Sequence, residues 1–293
     1  MISIRRGGRM RSKLFVPGVR PELFDKALAG DADALSLDLE DAVAEERKAA
    51  ARIAVAAFVG SEAVAASRKA IIVRVNDPTS PHFAADLAAV ARDGVALINL
   101  PKIESAAALH EAIAAIERAE ALNGVSQPIR LLVNIETPRA LLHAADIAAA
   151  HPRVAGLQLG LADLFEDAGI ERYDLANVHS AMFAVRMAAA AADVFALDSA
   201  YADLHDEAGY VAEARAARRL GFLGKTCLHP RQVALANSAF AATPAELEAA
   251  RRIVDAARAA PDGGRGVFVV DGRMIDLPFL KRAQALLASA RRT

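Results

Sequence analysis

Two carboxylates, Glu136 and Asp163, each close a short apolar run: Leu131-Leu132-Val133-Asn134-Ile135-Glu136, and Gly156-Leu157-Gln158-Leu159-Gly160-Leu161-Ala162-Asp163. The first run is too short for a helix and reads as a buried strand. Thr137-Pro138 then supplies an N-cap and a proline at the first helical position. Glu136 is therefore expected where a strand hands over to a helix, and Asp163 at the end of the next strand. Neighbouring strands of a parallel sheet lie about 4.8 Å apart. Two such carboxylates would converge on one point. That is a site for a hard divalent cation, or for a pair of acid/base groups. Magnesium suits two protein oxygens because it keeps several waters. Zinc is disfavoured, since no His/Cys cluster has ligand spacing.

Other reactive side chains also fall at the ends of apolar runs: Glu40, Asp41, Arg74, Lys102, Asp198 and His229. Arg74, within Ile71-Ile72-Val73-Arg74-Val75-Asn76, alternates onto the face opposite Val73 and Val75. Turned inward, its guanidinium requires an anionic partner. Four of the others have plainer readings. Asp41 can be an N-terminal helix charge, Asp198 can bond a loop amide, and His229 before Pro230 fits a structural histidine as well as a functional one. Lys102 can be solvated or neutralised by Glu104, so it makes a poor Schiff base, and metal-dependent chemistry is favoured over imine chemistry. Gly221-Phe222-Leu223-Gly224-Lys225-Thr226 looks like a P-loop but has two residues between its glycines and leads into a strand, which excludes it.

These residues need a scaffold, and the chain supplies a regular one. Strand-like segments are expected at 14–16, 34–39, 71–75, 95–100, 131–135, 156–163, 194–197 and 223–228, with helices between them, among them 22–28, 45–58 and 105–122. Ser80-Pro81 opens another helix. Eight strands, each followed by a helix, is the pattern of a (β/α)8 barrel, which places its active site at the C-terminal strand ends. A doubly wound open sheet usually has fewer strands and a Gly-rich fingerprint that is missing here.

After the eighth strand, Thr243-Pro244-Ala245-Glu246 is a capping box opening a helix to about residue 260. Pro261-Asp262-Gly263-Gly264 breaks it. Residues 267–275 read as a hairpin around Asp271-Gly272, a type I′ pair, and a last helix runs 277–290. The expected organisation is a disordered tail over 1–10, the barrel over 11–240, and a C-terminal extension over 241–293 that packs on a neighbouring subunit.

Composition narrows the class. The chain has 293 residues, 54% of them hydrophobic, which can fill one large core. A net charge of −1 gives no basic field for nucleic acid or an anionic membrane. No apolar run reaches the roughly 18 residues of a membrane span. The first ten residues carry Arg5, Arg6 and Arg9 without an apolar segment and are not a secretory signal; Met10 is an alternative start. A single cysteine, Cys227, excludes an internal disulfide and fits a reducing, cytoplasmic compartment. It reads as a small core residue.

Taken together, the segments resemble the citrate lyase β-subunit-like family of CoA-ester lyases, within the HpcH/HpaI aldolase superfamily. The matching pieces include Arg11-Ser12-Lys13-Leu14-Phe15-Val16-Pro17-Gly18, Leu37-Asp38-Leu39-Glu40-Asp41-Ala42-Val43, Val73-Arg74-Val75-Asn76 and Leu100-Pro101-Lys102. They continue through Ile135-Glu136-Thr137, Gly160-Leu161-Ala162-Asp163-Leu164, Gly224-Lys225-Thr226-Cys227-Leu228-His229-Pro230 and Gly272-Arg273-Met274-Ile275-Asp276. The resemblance implies a (β/α)8 barrel with a C-terminal extension, usually trimeric. It also implies retro-Claisen cleavage of a hydroxyacyl thioester (citramalyl-, malyl- or citryl-CoA) into acetyl-CoA and an oxo acid.

By the same resemblance Glu136 and Asp163 are the Mg2+ ligands, with Glu136 also at the substrate, and Arg74 holds the oxo acid and steadies the enolate. Asp276 enters a neighbouring subunit's active site as a catalytic residue. Phe15 and Lys26 touch the nucleotide part of CoA. One departure is Ala162, where many relatives have Glu. Rival readings are a citrate lyase β subunit acting on an acyl-carrier-protein thioester, a class II aldolase on free hydroxy-oxo acids, and a non-catalytic scaffold.

Overall fold

The computed structural model describes residues 10–259 and 266–290. Eight parallel strands form a closed barrel in sequence order: β1 Ser12–Pro17, β2 Ala34–Asp38, β3 Ala70–Arg74, β4 Leu97–Leu100, β5 Arg130–Ile135, β6 Val154–Leu159, β7 Phe195–Asp198 and β8 Gly224–Cys227. The ring closes where Ser12, Lys13 and Leu14 of β1 pair with Lys225, Thr226 and Cys227 of β8. Gly224 is required at this seam, since the Met10 carbonyl oxygen lies 1.8 Å from where a Cβ would stand. Met10, assigned above to the tail, is buried; the rest of that tail lies outside the described residues.

Alternation along each strand sorts the side chains. Leu35, Leu37, Ile71, Val73, Ile98, Leu100, Leu131, Val133 and Leu157 point outward and share a core with helix residues such as Val55, Leu87, Ile113, Ile116 and Val185. Each such side chain contributes about 1.5–3 kcal/mol by leaving water. The alternate positions turn inward and include a polar set: Lys13, Asp38, Arg74, Asn99, Asn134, Gln158 and Thr226. Asp38, Arg74, Asn134, Gln158 and Thr226 of this set line the site, with Lys13 and Asn99 below them.

Several element boundaries differ from the sequence expectation. The segment 22–28 is a 3-10 turn, Pro21–Leu23, running into the helix Phe24–Ala29. The segment 45–58 likewise begins with a 3-10 turn at Glu45–Arg47 before the helix Lys48–Val59. The helix expected from Ser80-Pro81 begins at Phe83.

One buried ion cluster ties the outer face of the barrel wall to a helix. Lys225 Nζ lies 2.7 Å from both Asp198 Oδ2 and Glu213 Oε1, and Arg172 forks onto Glu213 at 2.9 and 3.1 Å. This is the role of the would-be P-loop lysine, and Asp198 is its counter-ion. Lys225→Met strips the cation from two buried carboxylates. It should lower unfolding free energy by about 3–5 kcal/mol, read from denaturant titration. A loss under about 1 kcal/mol would show that Arg172 alone balances the pair.

From residue 241 onward the described residues form a second compact unit. The capping box is reciprocal: Thr243 N donates to Glu246 Oε2 at 2.7 Å and Glu246 N to Thr243 Oγ1 at 3.2 Å. The helix Pro244–Ala259 packs on Leu277–Ala290 through Ala250, Val254, Ala257, Leu280 and Ala283. Strands β9 Phe268–Val270 and β10 Arg273–Ile275 form the hairpin. Its turn residues, Asp271 at φ 52 and Gly272 at φ 72, have the two left-handed conformations a type I′ turn needs. The proposed helix break at 261–264 lies outside the described residues.

Candidate active site

Glu136 directly follows β5 and is buried. Its Oε1 accepts from the Lys102 backbone amide at 2.8 Å and its Oε2 from Asn134 Nδ2 at 2.8 Å. Lys102 presents that amide from a left-handed backbone, φ 51. Gly160 faces the same carboxylate, and a Cβ there would stand 2.5 Å from Glu136 Cβ. Burial pushes the Glu136 carboxyl up, opposed by the Lys102 amide and by Arg74.

Asp163 is not at a strand end, as the sequence suggested. Strand β6 stops at Leu159, Gly160 caps the helix Leu161–Ala168, and Asp163 lies in its first turn. Asp163 is half-buried and its carboxylate accepts no hydrogen bond among the described residues. Burial and the neighbouring Asp41 raise its carboxyl. Glu136 and Asp163 nevertheless line one cavity of about 410 Å³, together with Phe15, Asp41, Arg74 and Gln158.

Arg74 has the anionic partner its inward position demands. Its Nε and Nη2 fork onto Asp38 at 2.7 Å each, and its Nη1 reaches Asp41 at 3.0 Å. The fork follows from register, because Asp38 is the strand partner of Arg74. Burial would raise the Asp38 carboxyl, but Arg74 overrides it and holds the group below the ordinary range. Nη1 also lies 2.8 Å from Glu40 Oε2. The Arg74 guanidinium sits 4.9 Å from the centre of the Phe15 ring, whose other cation neighbour is Lys13 Nζ at 4.2 Å.

Glu40 behaves differently from Asp38. Burial, with Asp41 and Glu136 repelling its charge, pushes its carboxyl up to about 8 despite Arg74. A folded value above the ordinary 4.5 means the native state binds the extra proton between these limits. The Glu40 contribution to stability is then intact below about 4.5 and is lost as pH rises through about 8. Glu40→Gln should flatten that part of the curve, gaining stability relative to wild type at pH 9 and not at pH 5. Denaturant midpoints at both pH values, with chelator present, check it.

Beneath these groups runs a chain of amides that sequence reading missed. The Leu132 carbonyl and Asn134 Oδ1 accept from Asn99 Nδ2 at 3.1 and 2.7 Å, and Asn134 Nδ2 passes on to Glu136. Asn99 Oδ1 faces Lys13 Nζ at 3.5 Å, and Lys13 also bonds Gln158 Oε1. Lys13 is fully buried; burial, then Arg74, lowers its pKa well below the usual value. The available signal was a polar residue inside each short strand: Lys13, Asn99, Asn134 and Gln158.

The remaining candidates fall outside this cavity. Lys26 is exposed on the helix Phe24–Ala29 and is not among the lining residues, whereas Phe15 is. His229 caps the helix Pro230–Ala239 through the Arg231 amide at 3.1 Å, the structural reading. Cys227 is buried and its thiol is pushed up to about 11 by burial, so it stays protonated at neutral pH. Asp276, in the second unit, accepts from Phe279 N at 3.3 Å as a helix cap.

A cation can be tested against this donor set. Glu136 has both oxygens in single hydrogen bonds, leaving each a further lone pair. Asp163 is unbonded, and all the offered donors are oxygen. Among the described residues no group of three His, Cys, Asp or Glu converges. The set therefore fits an ion that keeps water and substrate oxygens, as magnesium does.

The HpcH/HpaI aldolase/citrate lyase family model matches residues 11–230. The chain belongs to this family. Among its relatives, citrate lyase subunit beta of Escherichia coli K12 is 36% identical, over 96% of this chain and 93% of that protein. L-malyl-CoA/beta-methylmalyl-CoA lyase of Cereibacter sphaeroides is 32% identical over 96% and 94%. The fold matches crystalline CitE of Mycobacterium tuberculosis in complex with magnesium, acetoacetate and coenzyme A. The TM-score there is 0.76 and the identity 33%, over 95% of this chain and 97% of that one. Among the described residues no helix is long and apolar enough to cross a membrane.

Proposed function

We propose that this family member is a magnesium-dependent carbon–carbon lyase. It cleaves a short hydroxyacyl-CoA thioester of the citramalyl, malyl or citryl kind into acetyl-CoA and an oxo acid. The observation that carries this reading is one cavity holding Glu136, Asp163 and Arg74, in a chain whose relatives are named as thioester lyases. The relatives include citrate lyase β subunits, so an acyl-carrier-protein thioester is the second reading.

Glu136 and Asp163 would hold Mg2+, which when bound polarises the substrate's carboxylate and hydroxyl oxygens and lowers the hydroxyl pKa. Asn134 and the Lys102 amide fix the Glu136 carboxylate so that it does not have to reorganise. Arg74, itself locked by Asp38, supplies fixed positive charge beside the reacting carbons. The base removes the hydroxyl proton, and the bond from the carbinol carbon to the thioester α-carbon breaks. Its electron pair moves to the α-carbon and thioester oxygen as an enolate, which a proton then quenches to acetyl-thioester. We assign the acid/base to Asp276 of a neighbouring subunit, within a homotrimer whose contacts the C-terminal unit provides. The compartment we assign is the cytoplasm, and Phe15 and Lys26 are taken to border the nucleotide of CoA.

Purified protein incubated with hydroxyacyl-CoAs should release an oxo acid and acetyl-CoA. Activity only on an acyl-carrier-protein thioester would select the second reading; release from free hydroxy-oxo acids alone would select a class II aldolase. Failure on all three substrate classes would leave a non-catalytic scaffold. Calorimetry on Glu136→Gln and Asp163→Asn should show magnesium affinity falling about tenfold or more in each. Unchanged binding in either removes that residue from the metal site.

A further inference from the structure

Gln158, which lines the cavity, and Lys13, buried behind it, are a pair that the cleavage steps do not use. Lys13 Nζ donates to Gln158 Oε1 and, at 3.5 Å, to Asn99 Oδ1. Asn99 cannot turn its amide over, because its Nδ2 donates to the Leu132 carbonyl and to Asn134. Charged or neutral, an amine has two N–H donors for these two oxygens. Lys13 thereby fixes Gln158 with its carbonyl oxygen turned to the amine. Gln158 lines the cavity, and its Nε2 hydrogens bond nothing among the described residues. Asn134 and Thr226, the other amide and hydroxyl lining the cavity, already spend donors on Glu136 and on the Asp198 carbonyl.

We propose that Gln158 is a specificity-determining residue: its amide hydrogens receive an oxygen acceptor on the third substituent of the substrate's carbinol carbon, and Lys13 positions it. This rests on the lyase reading above. A cavity of about 410 Å³ takes a small acyl group, so the coenzyme end of the thioester stays outside and the acyl end enters first. Glu136, just past the end of β5, follows Asn134 by two residues, and Asn134 is the strand partner of Gln158. The Glu136 carboxylate thus sits one strand-pleat nearer the mouth than the amide does. With the substrate carboxylate and hydroxyl directed at Glu136 and Asp163, the remaining substituent faces Gln158. Hydrogen or methyl there would leave desolvated N–H groups unpaired, which is unfavourable. A substituent bearing carboxylate, carbonyl or hydroxyl oxygen would satisfy them.

Calorimetry with Mg2+ and three oxo acids tests this without turnover: pyruvate, 3-hydroxypyruvate and oxaloacetate. Wild type should bind one or both oxygenated acids about tenfold or more tighter than pyruvate. Gln158→Leu should abolish that preference while pyruvate affinity is held; Gln158→Met replaces it if Leu unfolds the barrel. Lys13→Met should reduce the preference in the wild-type background and change nothing further in the Gln158→Leu background, as expected of a residue acting through Gln158. Equal binding of all three acids by wild type overturns the proposal and leaves the lyase reading standing. A preference surviving in the Gln158 variant, or a Lys13 effect persisting without Gln158, does the same. Binding of no oxo acid sinks both readings.

Discussion

Arg74→Lys should lower kcat/KM by about 10²- to 10³-fold while the barrel remains folded, as circular dichroism and an unchanged unfolding transition would show. The arginine contributes a planar fork that fits the Asp38 carboxylate at two points of 2.7 Å each, with Nη1 left over between Glu40 and Asp41. Lysine keeps the charge but has one point of attachment, so its cation is free to swing toward whichever of the three carboxylates draws it most. In the proposed reaction the positive charge would then no longer stand still beside the carbons being separated. Near-normal turnover in the lysine variant would show that Arg74 only neutralises its carboxylates and takes no part in the reaction.

The second large effect concerns Asp276. In the structure this side chain caps the helix Leu277–Ala290, accepting from the Phe279 amide. A cap alone is worth about 1 kcal/mol. It would not abolish turnover. As the proposed acid/base in a neighbour's site, Asp276→Asn should be inactive while retaining the cap, since asparagine caps equally well. Glu136→Gln should also be inactive. Mixed in equal amounts and allowed to assemble at random, the two chains should recover roughly a quarter of the sites, because each site draws one residue from each of two chains. Mixed oligomers without recovered activity would confine Asp276 to its own helix.

Sequence alone gave the strands well because each is a short apolar run between turn residues, and burial on both faces leaves little other reading for four to six such residues. It placed Asp163 wrongly for the same reason. Leu157 to Ala162 is nearly unbroken in apolarity, and only the helical spacing of buried Leu161, Leu164 and Phe165 marks where strand gives way to helix. That Arg74 needs an anion was legible from its type and its face. That the anion is Asp38 depends on strand register, which no local pattern encodes. Lys13 and the asparagines beside it were passed over because one polar residue in a four- to six-residue strand is a weak departure. Their meaning appears only when β1, β4, β5 and β6 are brought around one axis.

Gly160 lies between two cavity-lining positions of very different freedom. Any side chain there would intrude on Glu136 itself, 2.5 Å from its Cβ, so the position is closed to change however the substrate varies. Ala162, two residues on in the first turn of the following helix, is exposed at the mouth, and Gln158 lies inside at the floor. A protein engineer, or natural drift, reshaping this pocket where β6 passes into the following helix thus has two dials with a fixed pivot between them. In the proposed reaction the inner one would set what the acyl end meets. The outer one adds or withholds a group beside Asp163, and neither adjustment has to disturb the carboxylate on the neighbouring strand.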